Sequence, residues 1–371
     1  MKRTILYVGI DVDDIAFHGT GYDQKKEKYY EFKCKPTLGS LLNRLEKLTN
    51  KGYEIKLCYE ATYIGYGLHR DLEAHGIHCD IIAPSSIPEQ RGKKVKTDRI
   101  DSRKLSEYYA KGLLTAISIP NKTDEQVRQL IRSRRFIVDE RRRLKQHILS
   151  LCRFNGIDYR RQTNTKGLHW TLKHLQWLNS QLSKQPEITR KIFERLLSQL
   201  ILLDEEVKNF DFLIEQLSCN ERYQKQSQAL ACIKGIDTLS AMTLLTEIGD
   251  IKRFPHPKNL VSYCGMDITE YSSGGKEKKF GITKMGNSKI RTVLVEACQS
   301  ITVGSTVGRL LKTRRKGVPI ELVKIAERCQ VRLLRKKHQM SLVSNKPSNK
   351  TKVACARELT GFVWEMLMAV G

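Results

Sequence analysis

The chain has 371 residues, more than one hydrophobic core usually organises, so two to three domains are expected. It carries 66 Lys and Arg against 40 Asp and Glu, a formal net charge of +26 that points to a polyanionic partner and first of all to nucleic acid. Hydrophobic residues make up 40% of it, which excludes a wholly disordered basic protein, and no run of 18 apolar residues offers a membrane span.

Residues 4–10, TILYVGI, are β-branched and apolar, as a strand buried on both faces requires, and Asp11 follows at once. Asp11, Asp13 and Asp14 cut this apolar stretch too short for a secretory leader, so a cytoplasmic location is expected. Segments 15–22 and 29–34 read as two further strands around a QKKEK turn at 24–28. Leu38, Leu41, Leu42, Leu45 and Leu48 recur at helical spacing, and Gly52 stops that helix. EIKLCY at 54–59 predicts a fourth strand ending in Glu60, followed by a helix over 64–75 and a strand over 78–83. Three antiparallel strands and then alternating helix and strand predict a ribonuclease H-like α+β domain over 1–120. Past a basic linker, Arg91, Lys93, Lys94 and Lys96, Thr97 and Asp98 open a helix to about Gly112. Asp98 and Asp101 share one face of its first turn, where the helix dipole favours a carboxylate.

From Lys122 the composition changes, and residues 121–222 are expected to be helical. Arg132, Arg134, Arg135, Arg141, Arg142 and Arg143 crowd one stretch and are expected to meet a nucleic-acid backbone. Ile188, Ile192, Leu196, Leu200, Leu203, Val207, Phe210, Ile214 and Leu217 repeat at threes and fours. They predict a long helix that pairs with the arginine-rich one as an antiparallel arm or forms a dimerising coiled coil. Between them, His169, Trp170 and Trp177 either stack on unpaired bases or pack between helices.

A third, mostly helical domain is expected over 223–371. ACIKGIDTLSAMTLLTEIGD at 231–250 resembles a helix-hairpin-helix, whose turn offers N–H groups to a DNA phosphate, with Asp237 in place of a second glycine. A YSSGG turn at 271–275 precedes Lys276, Lys278 and Lys279, and GITKMGNSKIR at 281–291 adds Lys284 and Arg291, all expected to face nucleic acid. A basic helical stretch from Lys312 to Lys337, a polar loop over 341–352 and a final amphipathic helix over 354–370 complete the chain.

The ten cysteines contain no CxxC pair and the histidines no HxxxH or HExxH pattern, so buried thiols are expected and any metal must be held by carboxylates. Asp11, Glu60, Asp98 and Asp101 sit where a ribonuclease H-like sheet gathers strand and helix ends. Crowded carboxylates raise one another's pKa, a repulsion that Mg²⁺ relieves, and two such ions can clamp the attacking and leaving oxygens of a phosphodiester. Taken singly, each acid also reads as a solvated cap.

YVGIDV at 7–12, YEAT at 59–62, KTDRIDSRKL at 96–105, IKGIDTLSAMTLLTEIGD at 233–250 and YSSGG followed by ITKMGNSKIR together resemble the DEDD/serine transposases of the insertion-sequence one-hundred-and-ten family. The resemblance runs in family order over nearly the whole chain. It implies a RuvC-like N-terminal domain, a coiled coil and a transposase domain. The DEDD set then falls on Asp11, Glu60, Asp98 and Asp101, and the nucleophilic serine on Ser273, with Ser272 beside it. It further implies Mg²⁺ or Mn²⁺, a structured noncoding guide (bridge) RNA, double-stranded DNA partners and a homodimer or homotetramer. Two rival readings are a RuvC-like structure-specific endonuclease or Holliday-junction resolvase using water, and a non-catalytic RNA-binding assembly protein.

Overall fold

The computed structural model describes residues 3–88, 97–273, 276–301 and 307–371; for Ser86, 271–273 and 276–279 it describes the backbone alone. The chain divides into two compact units, Met1–Ile119 and Pro120–Gly371.

Unit one runs β1 (Thr4–Val12), β2 (Phe17–Asp23), β3 (Lys28–Cys34), α1 (Leu38–Thr49), β4 (Tyr53–Glu60), α2 (Gly67–Ala74), β5 (His78–Ile82) and α3 (Asp98–Ala110). The strands form one sheet in the order β3-β2-β1-β4-β5, antiparallel on the β2 and β3 side and parallel on the β4 and β5 side. This mixed α+β arrangement is consistent with a ribonuclease H-like domain. β1 is central because it must be covered on both faces. Leu6, Val8 and Ile10 pack with Leu57, Leu41, Leu45 and Leu72 on the α1 and α2 side, while Cys58, Ile82 and Leu105 pack under α3 on the other. At about 1.5–3 kcal/mol for each fully buried large apolar side chain, this layer supplies most of the driving force for the unit. β1 runs two residues further than the sequence suggests, so Asp11 lies within the strand and not just beyond it.

Unit two comprises α4 (Lys122–Phe154), α5 (Tyr159–Gln162), α6 (Leu172–Leu182), α7 (Glu187–Ser218), α8 (Glu221–Ala231), α9 (Thr238–Ile248), α10 (Pro257–Tyr263), β6 (Ile268–Ser273), β7 (Lys276–Ile282), α11 (Ser288–Ala297), α12 (Arg309–Arg314), α13 (Ile320–His338) and α14 (Ser348–Val370). α4 and α7 pair antiparallel within one chain, as Arg134 to Asp211 and Arg141 to Asp204 establish. The seam on α7 is Phe193, Leu200, Val207 and Ile214, an exact heptad, whereas Ile188 and Ile192, expected in it, are exposed. The expected register slips at its first turn, since stepping back by sevens from Leu200 lands on Phe193.

Three further expectations change. The basic stretch from Lys312 to Lys337 is two helices, because Gly317 takes φ +76° and Pro319 starts the second. The final helix begins at Ser348, six residues early, led in by Pro347. The expected turn at 271–275 is narrower, since Tyr271–Ser273 belongs to β6, where Ile, Thr and Tyr favour the pleated chain. Eight of the ten cysteines are buried, with Cys34 half-buried and Cys219 exposed. Among the described residues no helix is long and apolar enough to cross a membrane.

Candidate active site

Glycine decides how closely α3 approaches the sheet. A Cβ on Gly9 would lie 2.5 Å from both the Ser102 carbonyl oxygen and the Ser106 nitrogen. Thr20 on β2 meets Ser102 hydroxyl to hydroxyl at 2.9 Å, and Ser102 and Ser106 are buried. These small residues seat α3 directly on β1 and β2. The Thr97 side chain caps the helix by accepting from the Ile100 N–H, which places Asp98 and Asp101 in its first turn. Gly9→Ala is therefore expected to destabilise unit one by about 1–3 kcal/mol, as overpacking does. Gly39→Ala, inside α1 with open space around it, should cost nothing. Denaturant melts of the two variants check the contrast.

β1 and β4 are parallel with Ile10 opposite Tyr59, so Asp11 and Glu60 follow at one level on adjacent strands. On the other side Asp11 is paired with His18 of β2. Burial pushes the Asp11 carboxyl above its ordinary value, and the charges of Asp98, Asp101 and Glu60 push it further up, while His18 pulls it down. All four sequence-assigned acids therefore act on one neighbourhood. His18 Nε2 lies 3.5 Å from Asp98 Oδ2, and Lys104 Nζ lies 3.9 Å from Asp101 Oδ1.

Among the described residues, no three His, Cys, Asp or Glu side chains stand so that they could hold a metal ion. The donor set nonetheless suits a hard divalent cation, because its four acids offer only oxygens and the other three burden Asp11 with their charge. Repulsion among such carboxylates is what a bound cation would relieve.

In unit two, Ser273 ends β6 opposite Lys276, with Ser272 opposite Glu277 and Tyr271 opposite Lys278. The side chains of Ser273, Lys276, Lys278 and Lys279 and the two glycines between the strands lie outside the described residues. Lys284 is exposed at φ +58°, whereas Arg291 donates inward to the Cys264 carbonyl at 2.7 Å. The helix-hairpin-helix-like turn is formed by α8 and α9, with Gly235 at φ +93° and Asp237 capping α9 through the Ser240 N–H.

The six arginines of α4 expected to meet nucleic acid each have a carboxylate partner, while Arg128 donates to the Thr246 carbonyl. Arg132 grips Glu247 with two bonds of 2.8 and 2.9 Å, Arg134 reaches Asp211, and Arg141 reaches Asp204. Arg135 and Arg142 meet Asp139, and Arg143 meets Glu140, within the helix. The first three tie helices together; the last three stay at least half exposed. Trp170 and Trp177 pack with Tyr159, His169 and His174 around a small core, the packing alternative of the two anticipated. Burial, with His169 alongside, lowers His174 to about 4, and its Nδ1 accepts the Trp170 N–H.

Sequence reasoning missed two features. His18 carries no signal until the β1–β2 register is known. Glu247 did leave one, being the lone acid amid the apolar run of α9, which demands a partner once buried.

A model of DEDD transposases of the IS110 type matches residues 8–154, and one described as the transposase IS116/IS110/IS902 family matches 227–309. A putative transposase, y4qE, of Sinorhizobium fredii is 31% identical over 96% of this chain and 87% of its own length. The transposase for insertion sequence element IS1533 of Leptospira borgpetersenii is 31% identical over 91% of this chain and 96% of its own. That for IS1111A of Coxiella burnetii is 22% identical over 81% and 78%. A chain with a mixed α+β unit and a basic helical unit thus falls within the class of insertion-sequence transposases. Within that class, the chain belongs to the IS116/IS110/IS902 family.

Proposed function

We propose that this transposase is an RNA-guided DNA recombinase that exchanges strands through a phosphoserine intermediate. Asp11, Glu60, Asp98 and Asp101 would hold Mg²⁺ or Mn²⁺, and the ion supplies charge compensation at the phosphate undergoing transfer. The observation that carries this reading is the placement of Asp11 and Glu60 at one level on adjacent strands, with α3, whose first turn bears Asp98 and Asp101, seated on β1 and β2. The Ser273 hydroxyl attacks phosphorus, a serine–phosphate bond forms as one DNA phosphoester breaks, and the departing DNA oxygen takes up a proton. Reversal by a different DNA hydroxyl then joins a new strand and frees the serine, with no net hydrolysis.

Lys276, Lys278, Lys279 and Lys284 supply positive charge around the serine hairpin, and the exposed Arg135, Arg142 and Arg143 track a DNA or RNA backbone. The guide RNA follows from the family resemblance. Exchange between two duplexes calls for a homodimer or homotetramer.

Ser273→Ala is expected to remove a covalent protein–DNA adduct completely, whereas Ser272→Ala only weakens it. Mass spectrometry of a trapped, nuclease-digested complex reads the attachment site. Cleavage by the wild type with no adduct at all favours the water-using nuclease and ends the serine reading.

A further inference from the structure

We infer that His18 is a positioning residue of the carboxylate site, holding the Asp98 carboxylate against the sheet and so setting the site's affinity for a divalent cation. The inference rests on the metal reading of Asp11, Glu60, Asp98 and Asp101.

Four observations carry it. His18 faces Asp11 directly across the antiparallel β1–β2 pair, so the two side chains leave the same face of the sheet. That is the face α3 covers, since Gly9 and Thr20, each two residues away along its strand and themselves paired, lie against Ser102. The His18 imidazole reaches Asp98 at 3.5 Å. Finally, the settings of the two groups differ: the Asp98 side chain is 61% exposed on a helix start, while that of His18 is 23% exposed on a strand paired on both edges, to Asp11 and to Lys33.

An exposed aspartate samples several rotamers, and a cation must halt that motion before Asp98 can serve it. A contact with a rigid imidazole limits those rotamers beforehand. The imidazole itself is not the preferred donor for Mg²⁺, which takes oxygens, so His18 acts on the ion through Asp98. Asp101 has Lys104 nearby at 3.9 Å, three residues along its own helix.

The test is Mn²⁺ binding to the full-length protein, followed by the electron paramagnetic resonance signal of the free ion. His18→Leu is expected to weaken Mn²⁺ about 10- to 100-fold, the usual effect of losing a partner of a metal-binding group. His18→Gln, which keeps an N–H donor, should recover most of the affinity. In an Asp98→Asn background His18→Leu should change nothing further. Wild-type affinity in His18→Leu, or an equal loss in both backgrounds, overturns the positioning role. Should His18→Leu fail to fold, His18→Ala carries the same expectations. Asp11→Asn separates the two levels. If it binds Mn²⁺ as tightly as wild type, or if wild type binds none, the metal reading itself fails and the inference falls with it.

Discussion

Asp11→Asn is expected to abolish DNA strand exchange and yet raise the melting temperature of the protein in the absence of divalent cations. The fold holds this carboxyl above its ordinary value by burial and by the charges of Asp98, Asp101 and Glu60. For an acid, a raised folded value means that its ionised form is disfavoured in the folded state. The group helps stability below its ordinary value, and that contribution is lost as the pH rises through the raised one. At neutral pH Asp11 therefore costs stability, and an amide of the same shape removes the cost. A gain of about 1–3 °C is expected for a carboxylate only partly withdrawn from water. Mg²⁺ should reverse the ranking, because a ligand that binds only the folded form stabilises it and the Asn variant has lost that ligand's site. Thermal melts of both proteins, with chelator and across a Mg²⁺ series, read both effects. Retained strand exchange in Asp11→Asn, or full wild-type activity in excess chelator, would remove the acid from the chemistry.

Arg132→Ala should have the largest effect on stability, about 3–5 kcal/mol, because it strands a buried charge. Glu247 is 2% exposed, and its oxygens are met by the Arg132 fork and by Asn287 Nδ2 at 2.8 Å. Burial alone would push its carboxyl up, but Arg132, with help from Asn287 and Arg128, holds it below the ordinary glutamate value. The pair's contribution is present above that ordinary value and is lost as the pH falls through the lower folded one. Glu247→Gln should be much milder, since the Arg132 side chain left behind is 45% exposed and turns to water. Denaturant unfolding at neutral pH checks this asymmetry. The same experiment bears on the expectation that Arg132 meets nucleic acid. A phosphate contact would leave stability nearly intact and instead lower the salt dependence of DNA binding by about one unit of slope.

Much of this protein is readable along the chain because its elements announce themselves locally. A continuous apolar run such as TILYVGI has no soluble alternative to a covered central strand, so β1 and its neighbours emerge before any contact is known. The carboxylates are legible for a related reason: Asp11 lies at the end of such a run, Glu60 at the end of the next, and Asp98 and Asp101 just past a capping threonine. Length, composition and this order suffice for an α+β domain with acids at its strand ends, followed by a basic helical part.

What only the tertiary structure decides are the pairings between residues far apart in sequence. The arginines of α4 look alike on a helix, yet Arg132, Arg134 and Arg141 find Glu247, Asp211 and Asp204 on other helices, while Arg135, Arg142 and Arg143 find acids on their own. His18 is likewise silent until hairpin register sets it opposite Asp11, because a one-residue slip would turn it to the other face. Burial and charge act through space, so the chain specifies which groups are present, and packing alone determines which of them meet.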